Sequence, residues 1–87
     1  METRLLGALV ELHRRGTMRA VAEATGYGTS AVSAQLAALE RDLGVELIER
    51  AGRNVRLTTA GRQLVGYGEQ ILAIAEAART ALHSDGE

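Results

Sequence analysis

Residues Gly16 to Gly44 read GTMRAVAEATGYGTSAVSAQLAALERDLG. Two apolar stripes at helical spacing run through this stretch. Met18, Val21, Ala22 and Thr25 form the first, and Val32, Leu36, Leu39 and Leu43 form the second at i, i+4, i+7 and i+11. Between them lie Gly26, Tyr27 and Gly28, a segment suited to a turn too tight for regular helix. Two short helices joined by a glycine-bearing turn make a helix-turn-helix.

The second of these helices turns Thr29, Ser30, Ser33, Ala34, Ala37 and Arg41 away from its apolar stripe. Nearly all are small. Short hydroxyl and methyl side chains let a helix backbone sit deep in a DNA major groove, where hydroxyls reach phosphates or base edges and methyls touch thymine. The free N–H groups and dipole of the helix N-terminus favour phosphate as well. Read more plainly, Ser and Ala are simply good solvated surface. The next segment weighs against that reading. Leu47-Ile48-Glu49-Arg50 and Val55-Arg56-Leu57-Thr58 are strand-like runs around the polar tip Ala51-Gly52-Arg53-Asn54, a β-hairpin. From Arg50 to Arg62 the chain carries Arg50, Arg53, Arg56 and Arg62 and no acid, although its formal net charge is -1. A basic hairpin beside such a helix lays arginines along the phosphate backbone or into the adjacent minor groove. Arg50 and Arg56 have an alternative in pairing with Glu46 and Glu49, so Arg53 at the tip is the preferred contact.

The flanking segments support this unit. Glu2 to Arg15 presents Leu5, Leu6, Leu9, Val10 and Leu12 on one face and stops at Gly16. A last helix is expected from the N-cap Thr58 to about Leu82, roughly 36 Å at 1.5 Å per residue and longer than a three-helix core needs. Along it Leu64, Ile71 and Ala78, with Tyr67, Ile74 and Ala81, keep seven-residue intervals, and Leu72, Ala75 and Leu82 widen the stripe. Such a pattern favours a partner helix. Gly66 and Gly68 each weaken the helix by about 1 kcal/mol relative to Ala, a loss that partner packing is expected to offset.

Composition bounds the function. Eighty-seven residues make one domain with a small core and little room for a buried catalytic cleft. The absence of cysteine excludes disulfides and thiolate metal sites and suits a cytoplasmic protein. No apolar run approaches the ~20 residues of a membrane span. His13 and His83 lack partners at ligand or catalytic spacing, and no Ser/His/Asp set or phosphate-binding glycine loop appears. Neither an enzyme nor a metal or other cofactor is expected. Net acidity opposes binding to a polyanion. Its distribution relieves the conflict, because Glu69, Glu76, Asp85 and Glu87 gather toward the C-terminus, away from the basic hairpin.

From about Leu6 into the last helix, the chain resembles the N-terminal domain of the LysR-type transcriptional regulators. The matching residues are Leu6, Leu9, Gly16-Thr17, Ala22-Glu23-Ala24, Ala31-Val32-Ser33, Gln35, Leu39-Glu40, Leu43-Gly44, Leu47, Arg50, Leu57-Thr58 and Ala60-Gly61. No one of them is specific; their joint spacing is. The resemblance implies a mainly α winged helix-turn-helix, with three helices, a two-stranded wing and a long C-terminal linker helix. It also implies sequence-specific binding of double-stranded promoter DNA by a homodimer, with a small-molecule effector taken up by a C-terminal domain beyond these residues. There are departures. Gly28, Thr29 and Ser30 replace the usual Ser-Gln-Pro, so Thr29 or Ser30 is expected to cap the helix, and Ala34 replaces the usual arginine. Leu9 and Ile48 stand where Phe is frequent, so an aliphatic core is expected.

The division expected is 1–58 for DNA binding and 59–87 for the linker, dimerisation helix and tail. Thr29, Ser30, Ser33 and Ala34 are the candidates near base edges, and Thr17, Arg50 and Arg53 those for backbone or minor groove. Leu64, Tyr67, Ile71, Ile74, Ala75, Ala78 and Leu82 are the candidates for dimerisation. Two rival readings stand beside this one. The first is a different winged-helix regulator class, of the molybdate-responsive type. The second is a winged-helix protein-interaction module without DNA binding.

Overall fold

The computed structural model describes residues 1–84; Asp85 and Glu87, counted above among the distal acids, lie outside the described residues. The chain forms α1 (Thr3–Arg15), α2 (Met18–Thr25), α3 (Thr29–Leu43), β1 (Ile48–Ala51), β2 (Asn54–Leu57) and α4 (Thr59–Ser84). This is the winged helix-turn-helix with a long terminal helix that the sequence predicts. α1 packs against α2, α3 and α4, and α2 packs on α3.

The core is aliphatic throughout. Leu5, Leu9 and Leu12 of α1 meet Val21 of α2, Val32, Leu36 and Leu39 of α3, Leu47, and Val65 of α4. Every apolar position expected to face inward from α1 is buried, together with Ala8. No polar or charged residue is buried among the described residues, so burial of hydrocarbon is what fills the space between the helices. The stripe on α3 ends sooner than its spacing predicts. Leu43 is 38% exposed. Thr25 is likewise exposed and donates its hydroxyl to the Val21 carbonyl at 2.8 Å.

Two turns set the geometry of the functional face. Gly26 closes α2 with φ 82° and donates its N–H to the Ala22 carbonyl, allowing the chain to reverse into α3 within a few residues. The hairpin is tighter than its composition implies. Ala51 pairs with Asn54, so the tip is the two-residue loop Gly52-Arg53 and not four residues, with Gly52 at φ 64° as in a type II′ turn. Leu47 and Thr58 fall outside the strands. Leu47 is held instead as a buried anchor, its N–H bonded to the Glu40 carboxylate and its carbonyl to the Thr58 N–H.

Thr58 caps α4 as predicted. Its hydroxyl accepts from the Gly61 N–H at 3.0 Å and donates to the Glu46 carbonyl at 2.8 Å, so one side chain starts the helix and fastens it to the segment before the wing. The glycines of α4 differ in purpose. A Cβ at Gly61 would run into the Leu47 carbonyl oxygen, and one at Gly68 would lie 3.1 Å from the side chains of Leu6 and Val10. Gly68 is therefore offset by close approach to α1 of its own chain and not by a partner helix. Only Gly66 faces open space. Beyond this contact α4 projects from the domain, giving the molecule extents of 52 × 26 × 19 Å.

Candidate nucleic-acid interface

Because Val32, Leu36 and Leu39 point into the core, helical geometry turns the small side chains of α3 outward. Thr29, Ser30, Ser33 and Ala34 are exposed, and Ala37 is half-buried. The helix opens at Gly28 in an extended conformation with no side-chain cap, contrary to the expectation for Thr29 or Ser30. Gly28 offers only its backbone carbonyl, which accepts from the Ala31 and Val32 N–H groups. Thr29 and Ser30 lie inside the first turn, past the position from which a side chain caps the free N–H groups. The amides of Thr29 and Ser30 consequently have no acceptor among the described residues, and the helix presents open donors at its outer end.

Thr17 caps α2 instead. Its hydroxyl oxygen accepts from the Ala20 N–H at 3.1 Å, which leaves the hydroxyl proton free to donate outward. On the other flank, strand register decides which arginines face α3. Arg50 pairs with Val55 and Ile48 with Leu57, so these four share a face, while Glu49 pairs with Arg56 on the opposite one. Val55, Leu57 and Ile48 pack on the core, which turns Arg50 toward α3. Arg56 turns away and is bound by Glu49 at 2.7 Å. The pairing alternative thus applies to Arg56 and not to Arg50. Arg62 bonds the Leu57 carbonyl and the Thr59 hydroxyl, bracing the first turn of α4.

All seven residues expected to contact DNA line one open concavity of about 730 Å³. Thr17, Thr29, Ser30, Ser33, Ala34, Arg50 and Arg53 are joined there by Met18, Arg19, Ala37, Asn54 and Val55. No carboxylate lines it. Arg4, Arg14, Arg15, Arg56 and Arg79 are each engaged by a carboxylate elsewhere. Arg19, Arg50 and Arg53 have none within ion-pair distance among the described residues. Arg41 and Arg62 also lack a carboxylate partner among the described residues but lie outside the concavity, so a chain with net charge -1 gathers three of its five unneutralised guanidiniums on the face that carries the exposed α3 hydroxyls. Among the described residues no His, Cys, Asp and Glu cluster is placed to hold a metal ion, and no helix is long and apolar enough to cross a membrane.

Three polar participants are not among the site residues expected from the sequence. Arg19 and Asn54 line the concavity, and Glu40 fixes its shape. The Glu40 carboxylate accepts from the N–H groups of Leu47 and Ile48 at 2.8 and 3.3 Å, tying α3 to the start of the wing. A Glu beside the buried Leu39, before a loop rich in free amides, is the signal that marks it. The dimerisation candidates occupy the other end of the molecule. Tyr67, Ile74 and Leu82 are 67%, 70% and 75% exposed. Ala78 is exposed, Ile71 and Ala75 are half-buried, and Leu64 packs against the domain's own core.

Residues 3–62 match the family model described as bacterial regulatory helix-turn-helix protein, lysR family. The HTH-type transcriptional regulator HdfR of Salmonella newport (strain SL254) is 42% identical over 79 residues, covering 91% of this chain and 28% of that protein. The chain thus spans less than a third of the length of the curated relatives it matches. Among solved structures, the complex of the CbnR DNA-binding domain with DNA superposes with a TM-score of 0.91 at 31% identity over 100% of both chains. The LysR family regulator CbnR gives 0.90 at 32% identity, over 97% of this chain and 29% of the other.

Proposed function

The chain belongs to the lysR family of bacterial regulatory helix-turn-helix proteins, and from that premise we propose that it is the sequence-specific, double-stranded-DNA-binding part of a transcriptional regulator. The family assignment sets aside the molybdate-responsive class and any enzymatic role. One observation carries the reading: the exposed hydroxyls of α3 and the unpaired guanidiniums of Arg50 and Arg53 share one concavity free of carboxylates. In the proposed mechanism α3 enters the major groove, placing Thr29, Ser30, Ser33 and Ala34 by the base edges. Thr17, Arg50 and Arg53 grip the flanking backbone or minor groove. The complex of the CbnR DNA-binding domain with DNA, a structure of the same fold and extent, supports this placement.

The chain acts as a homodimer in the cytoplasm. The C-terminal helix pairs with its copy through Tyr67, Ile71, Ile74, Ala75, Ala78 and Leu82, while Leu64 is taken up by the domain's own core, and the pair spaces two half-sites about one helical turn of DNA, or a multiple of it, apart. We assign residues 1–58 to DNA contact and 59–87 to linkage and dimerisation. Effector control belongs to a further domain of the kind implied by the longer relatives.

Fluorescence-anisotropy titration with labelled duplex DNA at two salt concentrations tests the reading. Affinity is expected to fall as salt rises, with a log–log slope of about -0.9 for each phosphate neutralised. A slope of zero, or no association, favours the protein-interaction module instead.

A further inference from the structure

The positive charge of the concavity is not confined to the wing. Arg19 is the second residue of α2, is exposed, and lines the same hollow as Ser30, Ser33 and Arg53. Its position has no local rationale. A cation in the first turn opposes the helix dipole, and α2 has no acid there to compensate it. No carboxylate stands within ion-pair distance among the described residues, whereas the arginines of α1 are held by Glu2 and Glu11. Opposite it, Ala34 offers a methyl group and no charge. Without Arg19, the α2 side of the concavity would consist of Thr17 and Met18, and every guanidinium lining it would come from the wing.

We propose that Arg19 is a phosphate anchor on the α2 flank of the recognition helix, making this chain's grip on DNA two-sided. The proposal rests on the DNA-binding reading above. Phosphate is the partner, not a base, because in a helix-turn-helix the first helix crosses the sugar-phosphate backbone while the second occupies the groove. A guanidinium at that crossing matches a phosphate with paired N–H donors. Arg19 on one side and Arg50 with Arg53 on the other then straddle α3. The small side chains of α3 stay free to approach base edges, and Ala34 needs no charge of its own.

The test compares the unsubstituted chain with R19A and R19K. Each is titrated against a labelled random-sequence duplex and against a duplex selected from that pool by the unsubstituted chain. R19A is expected to weaken both complexes by the same factor, about tenfold, and to make the log–log salt slope less negative by about 0.9 per bound protomer. The advantage of the unsubstituted chain over R19A should accordingly shrink about 3.5-fold per protomer between about 50 and about 200 mM salt. R19K should keep the slope while losing part of the affinity, since an ammonium retains the charge without the paired donors. Thermal unfolding of R19A should match or exceed that of the parent. An unchanged slope in R19A overturns the anchor alone, and a changed preference between the two duplexes at constant slope replaces it with a base contact. Absence of salt-dependent binding by the unsubstituted chain removes the functional reading and the anchor together.

Discussion

The concavity between α2, α3 and the wing and the outer face of distal α4 are both exposed, yet they lack opposite things. Around α3 the unmet groups are polar: the free amides of Thr29 and Ser30 and the unpaired guanidiniums of Arg50 and Arg53. Along distal α4 they are hydrocarbon, with Tyr67, Ile74 and Leu82 each at least two-thirds exposed. Water satisfies the first set and not the second. The polar surface is stable alone and gains specificity from a charged partner, whereas the apolar surface gains free energy simply by being covered.

Ile74→Glu attacks the apolar surface and should produce the largest effect. Sedimentation is expected to report a monomer, and affinity for a duplex with two half-sites should fall by about a hundredfold or more, the lower range of the gain from linking two sites. A dimer that survives the substitution would place the interface elsewhere. Glu40→Ala attacks the support of the polar surface. Losing a carboxylate that holds the Leu47 and Ile48 amides should lower unfolding free energy by about 2 kcal/mol in urea titration, without changing the oligomeric state.

Within the polar surface, Arg53→Ala should weaken random and selected duplexes alike, by about tenfold, with a shallower salt slope. Ser33→Ala should instead shift preference among base pairs, by no more than about 1–3 kcal/mol. Uniform loss in both would erase the distinction between reading and anchoring residues. Smallest is Gly66→Ala. Its Cβ meets open space, so the helix should gain about 0.8–1 kcal/mol in thermal unfolding. A loss of stability on dimerisation would bring Gly66 into the contact between copies and extend the apolar surface.

Periodicity and turn chemistry made most of the fold legible. The stripes of α1 and α3, the Thr58 cap and the hairpin all follow from spacing that one chain displays by itself. Distances along the chain hid the rest. Glu40 lies seven residues before the amide it holds, and Gly68 is far in sequence from the Leu6 and Val10 side chains that crowd it. The missing cap on α3 was hidden for a different reason. Thr29 and Ser30 are good capping residues, but the turn starts the helix one residue earlier, at Gly28.

Sequence alone determined that this chain is helical, wing-bearing and arginine-rich beside a small-residue helix, because local spacing dictates which face of each element is apolar. Only the tertiary structure decided which arginines act together. Arg50 and Arg56 share the same pairing alternative along the chain, yet strand register turns Arg50 toward α3 and Arg56 toward Glu49, and packing of α2 on α3 brings Arg19 into the same hollow. Charge is a property of residues, whereas an uncompensated charged surface depends on which carboxylates the fold leaves out of reach.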